Sequence, residues 1–271
     1  MKKSIVLAAT IASLGFNACS PSSHQSASSQ STSSSSAAME KGGLKVYAFN
    51  DSPKFPDAKL KLSEPGTASS VPAGEVTFNY QLENYQLTAQ TDGSAHHDHA
   101  NSAQGQHIHN IVDNEPYTAH YTTTFAKPMQ EGSHVVLSFL SRSYHESLKH
   151  KNAYDLRIVN VGNSTSGPGA GFDVKGKHMF YSRPKGEYVG NDTKKIMLDF
   201  YLVNTDLARS GNKVRATING TEFLIDKWQP HTIEGLPMGE STIKLELLDK
   251  NGNVVPGPFN TVERKITLKA S

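Results

Sequence analysis

The sequence predicts an all-β protein: two tandem immunoglobulin- or fibronectin-like β-sandwich domains behind a signal peptide and a disordered serine-rich tether. Three observations carry that expectation. Apolar residues alternate with a period of two, the mark of strands with one buried face, and long helical patterns are scarce. Turn residues punctuate these stretches at short intervals, as in a sandwich. The alternating stretches also come twice, in the same order.

The chain of 271 residues opens with a segment that is not expected to fold. "MKKSIVLAATIASLGFNACS" has two lysines, an apolar run from Ile5 to Phe16, and small residues up to Cys19. It reads as a secretory signal over residues 1–18, with an apolar part too short to be a stable membrane span. Cys19 is the single cysteine, and "FNAC" (16–19) resembles a lipobox, although Phe16 and Asn17 depart from its usual aliphatic and small residues. Ordinary cleavage after Ala18 would leave Phe16 at the third position before the cut, where a small residue is needed. Lipidation of Cys19 is therefore expected. On either reading the mature chain has no disulfide, no cysteine nucleophile and no thiolate metal ligand.

Residues 19–43 form the expected tether, in which serine dominates and nothing apolar repeats. A lipid anchor with a soft spacer implies membrane attachment in a bacterial cell envelope. No acidic run follows Cys19, which favours the outer membrane's periplasmic side. Removing Lys2 and Lys3 with the signal lowers the 27 Lys and Arg to 25, equal to the 25 Asp and Glu. So balanced a surface argues against nucleic-acid binding, and the histidines set the sign as pH falls.

The folded part is expected as one domain over 44–161, a linker over 162–172 and a second domain over 173–271. "EVTFNYQLENYQL" (75–87) aligns without a gap on "KIMLDFYLVNTDL" (195–207), matching Val76/Ile196, Phe78/Leu198, Tyr80/Phe200, Leu82/Leu202 and Asn84/Asn204. "HIHNIVDNEPY" (107–117) lies on "KVRATINGTEF" (213–223), with Asp113-Asn114 over Asn219-Gly220 as turn residues. A third pair sets Val135, Leu137 and Phe139 on Ile243, Leu245 and Leu247, if one residue is inserted. The copies differ at one place: 88–106 is far longer than its counterpart 208–212, and it is rich in histidine. Added loops on sandwiches commonly carry binding sites.

By alternation His107, His109 and Ile111 share one face of their strand. Their counterparts include Lys213 and Arg215, which are rarely buried, so His107 and His109 are expected to point outward, towards the inserted loop with His96, His97 and His99. Two same-face imidazoles about 7 Å apart, that loop, and His120 from the next strand could supply nitrogens to Zn or Cu. A solvated polar face and a non-metal ligand site remain open beside that reading.

Other motifs carry less. "YHESLKH" (144–150) is one residue too long for the zinc-protease pattern, which leaves its histidines about 140° apart around a helix. A hydrolase built on 138–150 lacks a nucleophile elbow and an orienting acid. No nucleotide-binding loop is present.

The stretches "NDSPKFPDAKL", "GQHIHNIVDNEPYTAHY", "LSFLSRSYHESLKHK", "FYSRPKGEYVGNDTKK", "DFYLVNTDL" and "KVRATINGTEF" resemble a family of Bacteroidetes-type envelope lipoproteins often labelled phosphopeptide-binding. The likeness spans about residues 44 to 268. It implies an envelope location and no catalytic residue. Phosphate recognition would need clustered arginines, and Arg142, Arg183 and Lys185 are the residues that could meet as an anion or partner contact. The resulting expectation is a non-catalytic envelope lipoprotein acting as a binding module, with a metal ion or an envelope protein or peptide as partner. A structural or assembly role and a hydrolase are the alternatives.

Overall fold

The computed structural model describes residues 38–49, 51–66, 70–93 and 98–271. The signal peptide, Cys19, most of the tether, His96 and His97 lie outside the described residues. No helix among the described residues is long and apolar enough to cross a membrane.

The first strands are β1 (Met39–Lys41), β2 (Leu44–Ala48), β3 (Lys59–Glu64), β4 (Ser70–Val71) and β5 (Gly74–Glu83). After the histidine-rich insertion come β6 (His107–Val112), β7 (Thr118–His120), β8 (Thr124–Met129), β9 (Gly132–Ser141) and β10 (Tyr154–Val161). The second half holds β11 (His178–Arg183), β12 (Gly186–Val189), β13 (Ile196–Val203) and β14 (Lys213–Ile218). It ends with β15 (Thr221–Ile225), β16 (His231–Glu234), β17 (Gly239–Leu248) and β18 (Thr261–Lys269).

These strands build two β-sandwiches of the same topology. The first packs sheet β3-β5-β8 on sheet β4-β10-β9-β6-β7; the second packs β11-β13-β16 on β12-β18-β17-β14-β15. In each, a short strand lies parallel to the last one, β4 on β10 and β12 on β18, while the other pairs are antiparallel. Local detail repeats too. Asn84 and Asn204 both take the left-handed conformation, at φ 54°. Asp113 and Asn219 close equivalent turns, each accepting a backbone N–H at 2.8 Å, from Val135 and Thr242. Such short polar side chains tolerate positive φ and bond locally.

The first two alignments therefore hold in three dimensions. Val76, Phe78 and Tyr80 fill one core, and Ile196, Leu198, Phe200 and Leu202 the other. The third alignment needs correcting by one residue. β6 meets β9 with Val112 opposite Val136, and β14 meets β17 with Ile218 opposite Ile243. The true partner of Ile243 is thus Val136, not Val135. A one-residue slip sends side chains to the other face, so Val135, Leu137 and Phe139 point away from their own sandwich.

They do so because that face is covered. Val135, Leu137, Phe139 and Ile111 pack with Phe180, Tyr201, Val203 and Phe259 of the second sandwich and with Phe172 of the connection, forming a third hydrophobic core between the two. β13 is accordingly buried on both faces. Polar links fasten the rim. Asn114 accepts from the Tyr181 amide at 2.9 Å, and its own carbonyl accepts from Arg264 at 2.7 Å. Lys149 pairs with the fully buried Asp199, and Tyr201 donates to the Leu148 carbonyl at 3.0 Å.

The expected boundaries also change. Residues 39–41, assigned to the tether, form β1. β2, assigned to the first domain, pairs instead with β16 of the second sandwich, Val46 opposite Ile233. Leu44 and Val46 are apolar because they belong to that second core. The glycine-rich connection is packed down: Ser133 donates its amide to Ser166 and accepts from Gly169. A Cβ on Gly169 would come within 2.6 Å of Ser133 Oγ.

Candidate metal centre

The strand β6 is buried on both faces. Ile108 looks into the first sandwich, while His107 and His109 look out of it, as alternation requires. They do not reach solvent. Both are fully buried, because the second sandwich closes over this face. The expectation of exposed imidazoles fails here for a physical reason: the face that carries Lys213 and Arg215 in the second copy is covered in the first.

A third histidine joins them from the turn that follows β9. That strand pairs with β6 so that Ser141 lies opposite His107. The chain beyond Ser141 turns back at once, with Arg142 accepting from the His145 amide and donating its own amide to Glu146, both at 2.9 Å. An Arg142–Glu146 ion pair at 3.0 Å holds the turn. His145 sits in it at φ 70°, a conformation that costs a non-glycine residue on the order of 1–3 kcal/mol. The turn aims its imidazole at the other two.

One ring nitrogen from each of His107, His109 and His145 lies within 4.8 Å of the other two. His107 Nε2 is 2.8 Å from His109 Nε2 and 3.1 Å from His145 Nδ1. His107 Nδ1 lies 2.7 Å from the Gly105 carbonyl. A carbonyl can only accept, so Nδ1 carries the proton and Nε2 presents a lone pair. Two neighbouring nitrogens converge on that one lone pair. His109 Nδ1 is buried and has no hydrogen-bond partner among the described residues.

Aromatic residues wall the cluster. The Tyr117 ring stacks on His109 at 3.5 Å between centroids, Phe139 meets it edge-on at 5.1 Å, and Tyr121 lies 5.1 Å from His107. Tyr117 Oη is 3.3 Å from His145 Nδ1. The second sandwich contributes cations. A bulge between Tyr181 and Arg183 re-aims Arg183, which donates to Tyr117 Oη at 2.9 Å and to Tyr188 Oη at 3.0 Å. Lys185 donates to the Tyr117 carbonyl at 2.8 Å, and its ammonium stands 4.1 Å from that ring's centre.

This environment keeps the imidazoles neutral. Burial first, then Arg183 and Lys185, push His107 down to about 4, with the Gly105 hydrogen bond opposing them. Burial drives His109 well below its ordinary value, helped by His107 and His145. Burial and the Arg183 charge do the same to His145. Neutral imidazole is the form that binds metal ions.

His99 and His120, the other expected ligands among the described residues, lie apart from this group. His99 hydrogen-bonds Thr232 Oγ1 at 3.0 Å and stacks on Phe49, so the insertion docks on the second sandwich. His120 pairs opposite Ile108 and therefore faces the first core, where it stacks on Phe125 and bonds Thr118. The three expected anion contacts do not assemble either. Arg142 is committed to Glu146, Pro53 and Ser147, while Arg183 and Lys185 meet at Tyr117. His145 is the ligand that sequence reasoning missed, because its stretch is read there against a helical zinc-protease motif and a hydrolase, not as a neighbour of His107 and His109. The pairing of the β6 and β9 equivalents in a sandwich, with His145 four residues past the strand end, is the signal that finds it.

No protein-family model matches the chain, and no curated protein is similar to it in sequence. Among solved structures it is similar to the fibronectin(III)-like modules of Clostridium thermocellum CbhA, at 10% identity over 78% of this chain and 94% of that one, with a TM-score of 0.27. It is also similar to the Bacteroides ovatus mixed-linkage glucan utilization protein SGBP-B, solved with a heptasaccharide, at 8% identity over 78% and 71%, TM-score 0.24. The central fibronectin-III array of RIM-binding protein matches at 9% identity over 83% and 71%, TM-score 0.26. Identity is low in each, and the fold assignment rests on the strand pairing.

Proposed function

We propose that the protein is a non-catalytic binding module of the cell envelope that holds one late first-row transition ion, zinc or copper, through His107, His109 and His145. The convergence of three neutral ring nitrogens at one buried point supports this reading. Metal–nitrogen bonds of about 2.0–2.1 Å set tetrahedral ligand nitrogens roughly 3.3 Å apart. The two edges to His107, 2.8 and 3.1 Å, need to open by a few tenths of an ångström, and the His109–His145 edge lies within 4.8 Å and closes as the rings turn onto the ion. An all-nitrogen set without thiolate suits zinc or copper. His107 already has the outer-sphere carbonyl partner that fixes a metal-binding tautomer, and the strained backbone at His145 is a feature that packing alone does not require.

Elemental analysis of protein purified without a histidine tag, followed by calorimetry with zinc and with copper, tests the proposal. One tightly bound equivalent is expected, and His107→Ala/His109→Ala should abolish it. No uptake at neutral pH by the wild-type chain counts against it.

The envelope location is proposed from the leader: Lys2, Lys3, the apolar run and Cys19. Fatty-acid labelling of the expressed protein, lost in Cys19→Ala, is the expected result; an unlabelled wild-type chain contradicts it.

A further inference from the structure

The charges around the three histidines narrow the choice of ion. An imidazole that binds through its lone pair is neutral, so His107, His109 and His145 bring no negative charge to a cation. Arg183 stands two hydrogen bonds away: its Nε is 2.9 Å from Tyr117 Oη, which is 3.3 Å from His145 Nδ1. The Lys185 ammonium lies 4.1 Å from the centre of the Tyr117 ring, and that ring stacks on His109 at 3.5 Å. Neither cation is ion-paired with a carboxylate among the described residues; their partners are the oxygens of Tyr117 and Tyr188. Burial, then Arg183, Arg264 and Lys127, press the Lys185 ammonium down to about 8, which leaves it charged at pH 7 in a positive field.

The donor set points the same way. No carboxylate or thiolate among the described residues joins the three nitrogens. Tyr117 supplies no fourth bond either. A bound ion lies in the plane of the His109 ring, and the Tyr117 ring runs nearly parallel to that plane, 14° off and 3.5 Å away. Its oxygen is therefore held farther from the ion than the roughly 2.0–2.2 Å of a metal–oxygen bond. Phe139 and Tyr121 take up more of the surroundings. Zinc in a closed site almost always takes four ligands, whereas copper(I) is satisfied by fewer.

The cost of burying an ion rises with the square of its charge, and its repulsion by neighbouring cations rises in proportion to that charge. Resting on the three-histidine reading above, we infer that the centre selects copper(I) over divalent ions, with Arg183 and Lys185 as the residues that set the choice.

Copper(I) and zinc(II), each alone, are the probes, titrated into the full protein at pH 7 without oxygen. Copper(I) is kept reduced by ascorbate and competed against bathocuproine disulfonate; zinc(II) is competed against a chromophoric chelator. Wild type is expected to hold copper(I) about a hundredfold or more tighter than zinc(II). Lys185→Met, which removes the charge and keeps the stem, should narrow that ratio about tenfold by strengthening zinc, whereas Lys185→Arg should preserve it. If wild type prefers zinc, or if Lys185→Met leaves the ratio unmoved, charge does not select the ion and the three-histidine centre stands. If wild type takes up neither ion, both readings fall together.

Discussion

Strands β6 and β14 hold the same place in the two sandwiches, yet their outward faces meet different surroundings. In the second sandwich that face carries Lys213 and Arg215, and the adjoining strand adds Lys244 and Glu246. Arg215 and Lys244 both pair with Glu246, at 2.8 and 2.9 Å. In the first sandwich the equivalent positions are His107 and His109 with Leu137 and Phe139, all fully buried. The same strand position thus has a wet version and a dry version. The difference teaches that an outward-facing position is not an exposed one when another sheet packs over it. It also explains why imidazoles occupy the dry version, since a lysine or arginine left there without a partner would be a buried charge.

The largest expected contrast between the faces is in packing. Phe139→Ala should cost about 3–5 kcal/mol of unfolding free energy in a denaturant melt. Its counterpart in the second sandwich, Glu246, is itself buried, but its partners Arg215 and Lys244 reach solvent, so Glu246→Ala should cost only about 1 kcal/mol: the freed cations meet water and little apolar burial is lost. Equal losses would mean that the seam contributes little to stability.

Next comes pH. His107 is held down to about 4 from 6.5 by burial. Between those values the unfolded chain takes up a proton that the folded chain refuses, so stability falls as pH drops from 6.5 to 4 and is flat above. The 2.5-unit difference corresponds to about 3 kcal/mol. Burial holds His231 at about 4 as well, so it adds a parallel loss. His107→Asn should remove its share of the slope, read from chemical melts at several pH values, whereas Arg215→Gln should leave the slope above about pH 5 unchanged and act only where Glu246 titrates.

Metal binding gives a comparable effect on the dry face alone. At an ion concentration a hundredfold above the dissociation constant, the wild type should gain about 2.7 kcal/mol. His145→Ala should lose that gain in a thermal melt with and without zinc, while Arg215→Ala keeps it. The smallest expected effect belongs to the wet face: Arg215→Gln should shift stability by less than about 1 kcal/mol, and added salt should shrink the shift further.

Much of this was legible in the sequence. The period-two pattern of 76–82 and 196–202, the turn chemistry of Asp113-Asn114 and Asn219-Gly220, and the common face of His107 and His109 all follow from local rules. What alternation cannot show is what lies on the far side of a sheet. Val135, Leu137 and Phe139 were apolar enough to pass for a core face, and that disguised the one-residue slip. β2 reads as an ordinary first strand, because nothing local tells which sheet edge a short apolar stretch joins. His145 was invisible to motif spacing, since the contact that matters runs across a strand pair and through a left-handed turn.

The most direct test of the account is anomalous diffraction from crystals of the folded protein soaked in zinc or copper. A single peak bounded by His107 Nε2, His109 Nε2 and His145 Nδ1 is the expected result. No peak at that point, or a peak at His96, His97, His99 or His120 instead, would contradict it.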